Sequence, residues 1–154
     1  MNSKDIYALA RHIKRNIKGI YLTGSIRRLE KEPKDIDIIT KRPFWSLLVN
    51  FNSLYDIKFD IDYKEGEHYM EFDIGTNDNK DKYRINIWYC PDDYTYKFHK
   101  WLLDMDKGHN IYYRKQAKKY GYKLSINGLK NIESNAFKDV DTKTDLKRII
   151  HIKL

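Results

Sequence analysis

The sequence predicts an α/β fold of the α+β kind in two lobes, and three observations carry that expectation. Helix-period and strand-period segments alternate along the chain. The 154 residues are 41% hydrophobic and 14% aromatic, enough for one ordinary core or two small packed lobes, and too apolar for a disordered chain. The charge is also divided. Met1 to Asp106 carry 18 Lys/Arg against 18 Asp/Glu, whereas Lys107 to Leu154 carry 12 against 4. The whole net charge of +8 therefore sits in the last third, and the lobe boundary is expected near residue 106.

The elements follow in order. Ser3 is placed to cap a helix running to about Lys18, with Ile6, Leu9, Ala10, Ile13 and Ile17 as its apolar stripe and Gly19 as its end. Ile20 to Leu22 reads as a short strand, Gly24-Ser25 as a tight turn and residues 35–40 as a second strand. Pro43 opens a short helix over 44–50. Ile57, Phe59 and Ile61 alternate with charged residues, as in a half-buried strand. Residues 69–75 and 83–89 form a hairpin across the polar turn Asn77 to Asp81. Helices are expected over 93–103, 109–120 and 142–149, with a hairpin turn at Asn127-Gly128.

Several function classes drop out. No apolar run approaches the ~20 residues that span a bilayer, so no membrane partner is expected. The first residues lack the apolar core of a signal peptide, and the lone Cys90 offers neither a disulfide framework nor a zinc cluster, so an intracellular location is expected. A one-sided basic lobe instead suits a polyanion such as nucleic acid. The plainer reading, a merely solubilising basic tail, fits less well because the lobe carries a patterned helix.

The chemistry concentrates in "TGSIRRLEKEPKDIDIIT", Thr23 to Thr40. Alternate residues of a strand share a face, with Cβ atoms ~6–7 Å apart, so Asp35 and Asp37 aim two carboxylates at one point while Ile36 and Ile38 face a core. Two carboxylates together with substrate phosphates suit Mg2+, and two such ions ~4 Å apart suit in-line displacement at phosphorus. Gly24 lets a phosphate approach the backbone, Ser25 adds a hydroxyl, and the Arg28 guanidinium matches outer phosphate oxygens. Each piece alone has a plainer reading, since Asp-x-Asp is usually a solvated strand face. The specific signal is Gly-Ser followed ten residues after the serine by Asp-x-Asp, with a strand on each side.

That arrangement resembles the nucleotidyltransferase superfamily, and "GSIRRLEKEPKDID" is similar to the palm motif of family X DNA polymerases. "YRINIWYCP", Tyr83 to Pro91, resembles the strand bearing that family's third carboxylate, and "HNIYYRKQAKKYGYKLSINGL", His109 to Leu129, resembles its thumb. The three blocks cover about a third of the chain, in family order, and leave no room for a lyase domain or fingers helices. The chain therefore looks like the reduced palm-and-thumb form found in some large DNA viruses.

The resemblance implies a palm of mixed sheet with flanking helices over 1–106 and a small basic thumb over 107–154. It implies a monomer that repairs DNA by adding dNMP to the 3′ end of a gap, using two Mg2+ ions (or Mn2+) and a dNTP. Gly24, Ser25 and Arg28 would hold the β- and γ-phosphates, and Asp35 and Asp37 would bind the metals. Asn110 would touch the incoming nucleotide, and Arg114 the minor groove. Lys115, Lys118 and Lys119 would meet DNA phosphates.

Three departures matter, one being that a lysine-rich helix replaces any fingers domain, so DNA would be held mainly by charge. The catalytic position 86 holds Asn86, not a carboxylate, which predicts slowed or absent catalysis unless Glu71 or Asp73 on the partner strand supplies the charge. Leu102-Leu103-Asp104-Met105 stands where the family has its sugar-contacting turn. The alternatives are a non-catalytic binder of DNA ends and a small nucleotidyltransferase acting on RNA or protein.

Overall fold

The computed structural model describes residues 3–55, 57–59, 68–75, 82–125, 128–138, 140 and 143–152. The chain is mixed α/β with two sheets, and it divides into two compact units, Met1–Tyr96 and Lys97–Leu154. Among the described residues, no helix is long and apolar enough to cross a membrane.

In the first unit, helix α1 (Ser3–Asn16) leads into β1 (Ile20–Thr23), a single helical turn α2 (Gly24–Arg27), β2 (Asp35–Thr40) and helix α3 (Phe44–Leu54). Then come β3 (Ile57–Phe59), β4 (Tyr69–Gly75) and β5 (Lys82–Tyr89). The sheet order is β1-β2-β5-β4-β3, with β2 and β5 parallel and the other pairs antiparallel.

Register divides the chemistry between the two faces of this sheet. Ile36, Ile85 and Phe72 lie in one row across β2, β5 and β4, and Ile38, Ile87 and Met70 lie in another. These rows share one core with Ile6, Ala10, Ile13 and Ile17 of α1 and with Leu47 and Phe51 of α3, so both helices cover the same face. The intervening residues fall on the opposite face. There Asp37, Asn86 and Glu71 form one row, and Asp35, Arg84 and Asp73 another. Period-2 alternation thus builds the core and the polar site at once.

Two local expectations are corrected. The Gly24-Ser25 turn is the start of α2, in which the Arg28 amide donates to the Gly24 carbonyl at 3.1 Å and buried Ile26 anchors the turn to the core. Helix α3 continues four residues past the expected end because Phe51, one turn beyond Leu47, is fully buried and keeps the apolar stripe going. The expected Ile61, the turn at Asn77 to Asp81 and Asn127 lie outside the described residues.

The second unit begins inside helix α4 (Asp93–Asp104), about a turn into it, and not at residue 106. The reason is packing. Phe98 and Leu102 of α4 are buried with Tyr113 and Ala117 of α5 (Lys107–Lys119), and with Leu124, Leu129, Val140, Leu146 and Ile150. The sheet of this unit is the antiparallel β6 (Tyr122–Ser125), β7 (Gly128–Asn131) and β8 (Phe137–Lys138), and helix α6 (Lys143–Ile149) follows. Lys97–Leu154 carry 14 basic and 6 acidic residues, so this boundary still leaves the whole net charge in the second unit.

Candidate functional site

The site is built from the polar rows of the first sheet. Parallel pairing sets Asp37 beside Asn86, whose Nδ2 donates to Asp37 Oδ1 at 2.9 Å. Tyr69 of β4 is placed to donate its hydroxyl proton to Asn86 Oδ1 at 2.8 Å or to Glu71 Oε2 at 3.0 Å. Arg84 closes the far side, with Nε donating to Asp73 Oδ1 at 2.6 Å and Nη1 reaching Glu71 Oε2 at 3.1 Å. Both carboxylates named as substitutes for the missing charge are therefore paired with Arg84. Of the two, Glu71 shares the Asp37–Asn86 row, while Asp73 sits in the row of Asp35.

Gly24 fixes how Asp37 sits. It follows Thr23, the β1 partner of Asp37, and its φ is +65°. A Cβ at Gly24 would lie 2.1 Å from Asp37 Oδ2, so the carboxylate packs directly on the glycine backbone. The paired arginines divide their tasks. Arg27 stacks over the Tyr21 ring at 4.3 Å and donates to the Leu22 carbonyl, bracing β1. Arg28 is half-buried, with Nε 3.5 Å from Glu30, and its charge acts on Asp37. Ser25 lies between Gly24 and these arginines on α2, half-buried.

Asp35 opens onto a cavity of about 460 Å³ that is shared with Asn86, Tyr69, Glu71 and Arg84 and rimmed by Lys34 and Lys82. Its volume falls in the range of small-molecule pockets. The cavity lies on the Asp35, Asn86 and Arg84 side of the site, and Gly24, Ser25 and Arg28 do not line it.

The electrostatics are strained at Asp37. Burial pushes its carboxyl above the usual aspartate range, the Asn86 amide pulls it back, Asp35 pushes it up and Arg28 pulls it down. Burial, then Glu71, raises the Tyr69 phenol, and the Asp73 hydrogen bond keeps Arg84 firmly protonated. Among the described residues, no group of three or more His, Cys, Asp or Glu side chains is gathered around one point. The donor set is two carboxylates and an amide. Those ligand types suit a hard cation completed by substrate phosphates, but Asp37 does not line the cavity onto which Asp35 opens. A second cation does not fit the third position as it stands, because Asn86 points an N–H donor at Asp37.

Asp37 is a candidate site residue held at a cost to the fold, and the sign is testable. A carboxyl raised in the native state binds its proton more tightly there than in the unfolded chain. Its contribution to stability is present below the usual aspartate value of 3.8 and is lost as pH rises through the higher native value. Asp37→Asn should therefore raise Tm by a few degrees at neutral pH, with the gain vanishing in acid, while divalent-dependent nucleotide binding disappears. Melting curves across pH check the first part. A fall in Tm at neutral pH would show that the carboxylate stabilises the fold.

In the second unit, Asn110 is half-buried on α5. Its Nδ2 donates to the Leu102 carbonyl at 3.1 Å, and its Oδ1 accepts from Arg114 Nε at 2.6 Å. The amide thus ties the end of α4 to α5. Leu102, the first residue of the stretch that departs from the expected family's sugar-contacting turn, is buried within α4. Arg114, Lys115, Lys118 and Lys119 are all exposed on α5, opposite buried Tyr113 and Ala117. Asp106 caps the helix, its side chain accepting from the His109 amide at 2.9 Å.

Sequence reasoning missed Tyr69 and Arg84. The available signal was the alternation of β4 and β5, which puts Tyr69, Arg84 and Asn86 on the face of the two aspartates once the strands are paired in register. In comparisons with known proteins, no family model matches this chain and no curated protein matches it significantly.

Proposed function

We propose that the chain is a nucleotidyltransferase of the family X polymerase type, with a palm in the first unit and a basic thumb in the second, acting on a DNA 3′ end opposite a gap. The single observation that carries the reading is the row of Asp37 and Asn86, with Asp35 two residues away on the same face and the α2 glycine turn packed on Asp37. Asp35 and Asp37 would hold Mg2+ or Mn2+ together with the triphosphate. Bound there, such an ion supplies charge neutralisation at the phosphate oxygens under attack. The chain's own contributions are distinct. Gly24 lets the Asp37 carboxylate pack on its backbone, and Ser25 and Arg28 on the same turn would be the groups to meet the outer phosphates. The exposed stripe Arg114, Lys115, Lys118 and Lys119 engages the DNA backbone.

A second reading rests on a specific contact. Asn86 spends its N–H on Asp37 and cannot act as a base at neutral pH. A DNA-end binder with slow or no chemistry is consistent with that arrangement. Extension assays on gapped DNA, on unpaired 3′ ends and on RNA separate the polymerase, the end binder and an RNA-directed transferase.

The DNA partnership has its own test. If about four to six phosphates are neutralised, log K should fall with log salt at a slope of about −4 to −5. Charge reversal at Lys115, Lys118 and Lys119 should flatten that slope by about two to three. A flat slope that ignores these substitutions removes nucleic acid as the partner.

A further inference from the structure

We propose that the second unit carries a separate anion pocket, for a free phosphorylated small molecule of nucleotide size, that binds without a divalent cation. The inference does not depend on the polymerase reading. It starts from a cavity of about 520 Å³ bounded by α4, α5 and α6, within the volume range of ligand sites.

The charge around this cavity is one-sided. Lys97 and Lys100 lie one turn apart on α4, and Lys143 and Lys147 lie one turn apart on α6, so two helices each turn a lysine pair onto the same space. Among the described residues that line it, Asp104 is the one acidic side chain. Lysine is suited to an anion, because its ammonium is a mobile point charge able to follow a phosphate group.

The wall of the cavity is aromatic. Trp101 is half-buried there, its ring meeting Tyr113 edge to face with centroids 5.6 Å apart, and Met105 lies beside it. A base or other flat group can pack on such a surface. The lysines then supply the charge and the rings supply contact area. Among the described lining residues Asp104 is the single carboxylate, so they offer no pair of hard-cation ligands that would require Mg2+.

Shape favours a compact ligand over a strand. Among the described residues, Arg114, Lys115, Lys118 and Lys119 of the exposed α5 stripe do not line this cavity, whereas the four lysines of α4 and α6 border a concavity. The experiment uses the full chain in excess EDTA, titrated with ATP and, separately, with inorganic tripolyphosphate. The Trp101 indole N–H resonance is followed by NMR and assigned with Trp101→Phe. ATP should shift that resonance saturably, and tripolyphosphate should compete for the same site more weakly, because it lacks a base. Lys97→Gln combined with Lys143→Gln, both at exposed positions that do not carry the core, should weaken ATP by about tenfold or more. Asp37→Asn should leave this metal-free binding unchanged. No saturable shift in EDTA overturns the proposal, as does binding indifferent to the lysine changes. A 5′-phosphorylated oligonucleotide that displaces ATP at far lower concentration would also overturn it, since the pocket would then belong to a strand end.

Discussion

Asn86→Asp should raise single-turnover nucleotide addition on gapped DNA by roughly two to four orders of magnitude, the usual worth of a placed general base. The geometry makes the reason specific. Aspartate would put a carboxylate oxygen where Nδ2 now lies, 2.9 Å from Asp37 Oδ1. Two carboxylates at that distance cannot both ionise unaided. Without metal, the variant should therefore melt below the parent chain. Adding Mg2+ or Mn2+ should restore and then exceed the parent Tm, as ions bind the folded form. The number of Mn2+ ions bound per chain in the presence of nucleotide should rise from one to two. Tyr69 can still donate to the new carboxylate, so the third position keeps its orientation. A variant that gains neither a second ion nor activity, with DNA binding intact, would leave the end-binding reading. An active parent that gains nothing from the change would point to Glu71, in the same row, and Glu71→Gln should then abolish activity.

How far the sequence revealed this site depends on which forces set each feature. Alternation is local, so the split of β2 into core-facing Ile36 and Ile38 and site-facing Asp35 and Asp37 was readable directly. The partners of Asp37 were less legible, because they depend on register. Asn86 and Glu71 join it only after β5 pairs parallel with β2 and antiparallel with β4. The bridging Tyr69 hydroxyl sits 17 residues from Asn86 in sequence and carries no motif. The unit boundary was misplaced for a related reason. Charge marks surfaces, but units are defined by what packs together, and Phe98 and Leu102 pack with the second core while lying ahead of the charge shift. Asn110 illustrates a further limit. A polar residue inside a motif-like block can also bond to its own helices, as the Asn110 amide does to Leu102 and Arg114, and sequence alone does not show those contacts.

The glycine of the opening motif offers the sharpest test of how the fold holds the site, because its role is read from the carboxylate packed against it. Gly24→Ala should destabilise the first unit by about 2–5 kcal/mol. One part is backbone strain, since at φ +65° alanine is about 1–2 kcal/mol worse than glycine. The remainder is collision. The new methyl would lie 2.1 Å from Asp37 Oδ2 and 3.0 Å from its Cγ, so the carboxylate must swing away and abandon the Asn86 amide. A broken hydrogen bond to a half-buried carboxylate costs about 1–3 kcal/mol. For a unit of this length each kcal/mol lowers Tm by about 4–8 °C, so the drop should be plain in a melting curve. A double-mutant cycle with Asp37→Ala separates the two parts. Removing the carboxylate deletes the worst clash but leaves the backbone strain and a close Cβ contact at 3.1 Å. About half of the Gly24→Ala penalty should therefore disappear in the Asp37→Ala background. Full additivity would mean that Gly24 serves only its own backbone conformation. Strong coupling, together with lost metal-dependent nucleotide binding in the still-folded Gly24→Ala chain, would tie the glycine to the aim of Asp37.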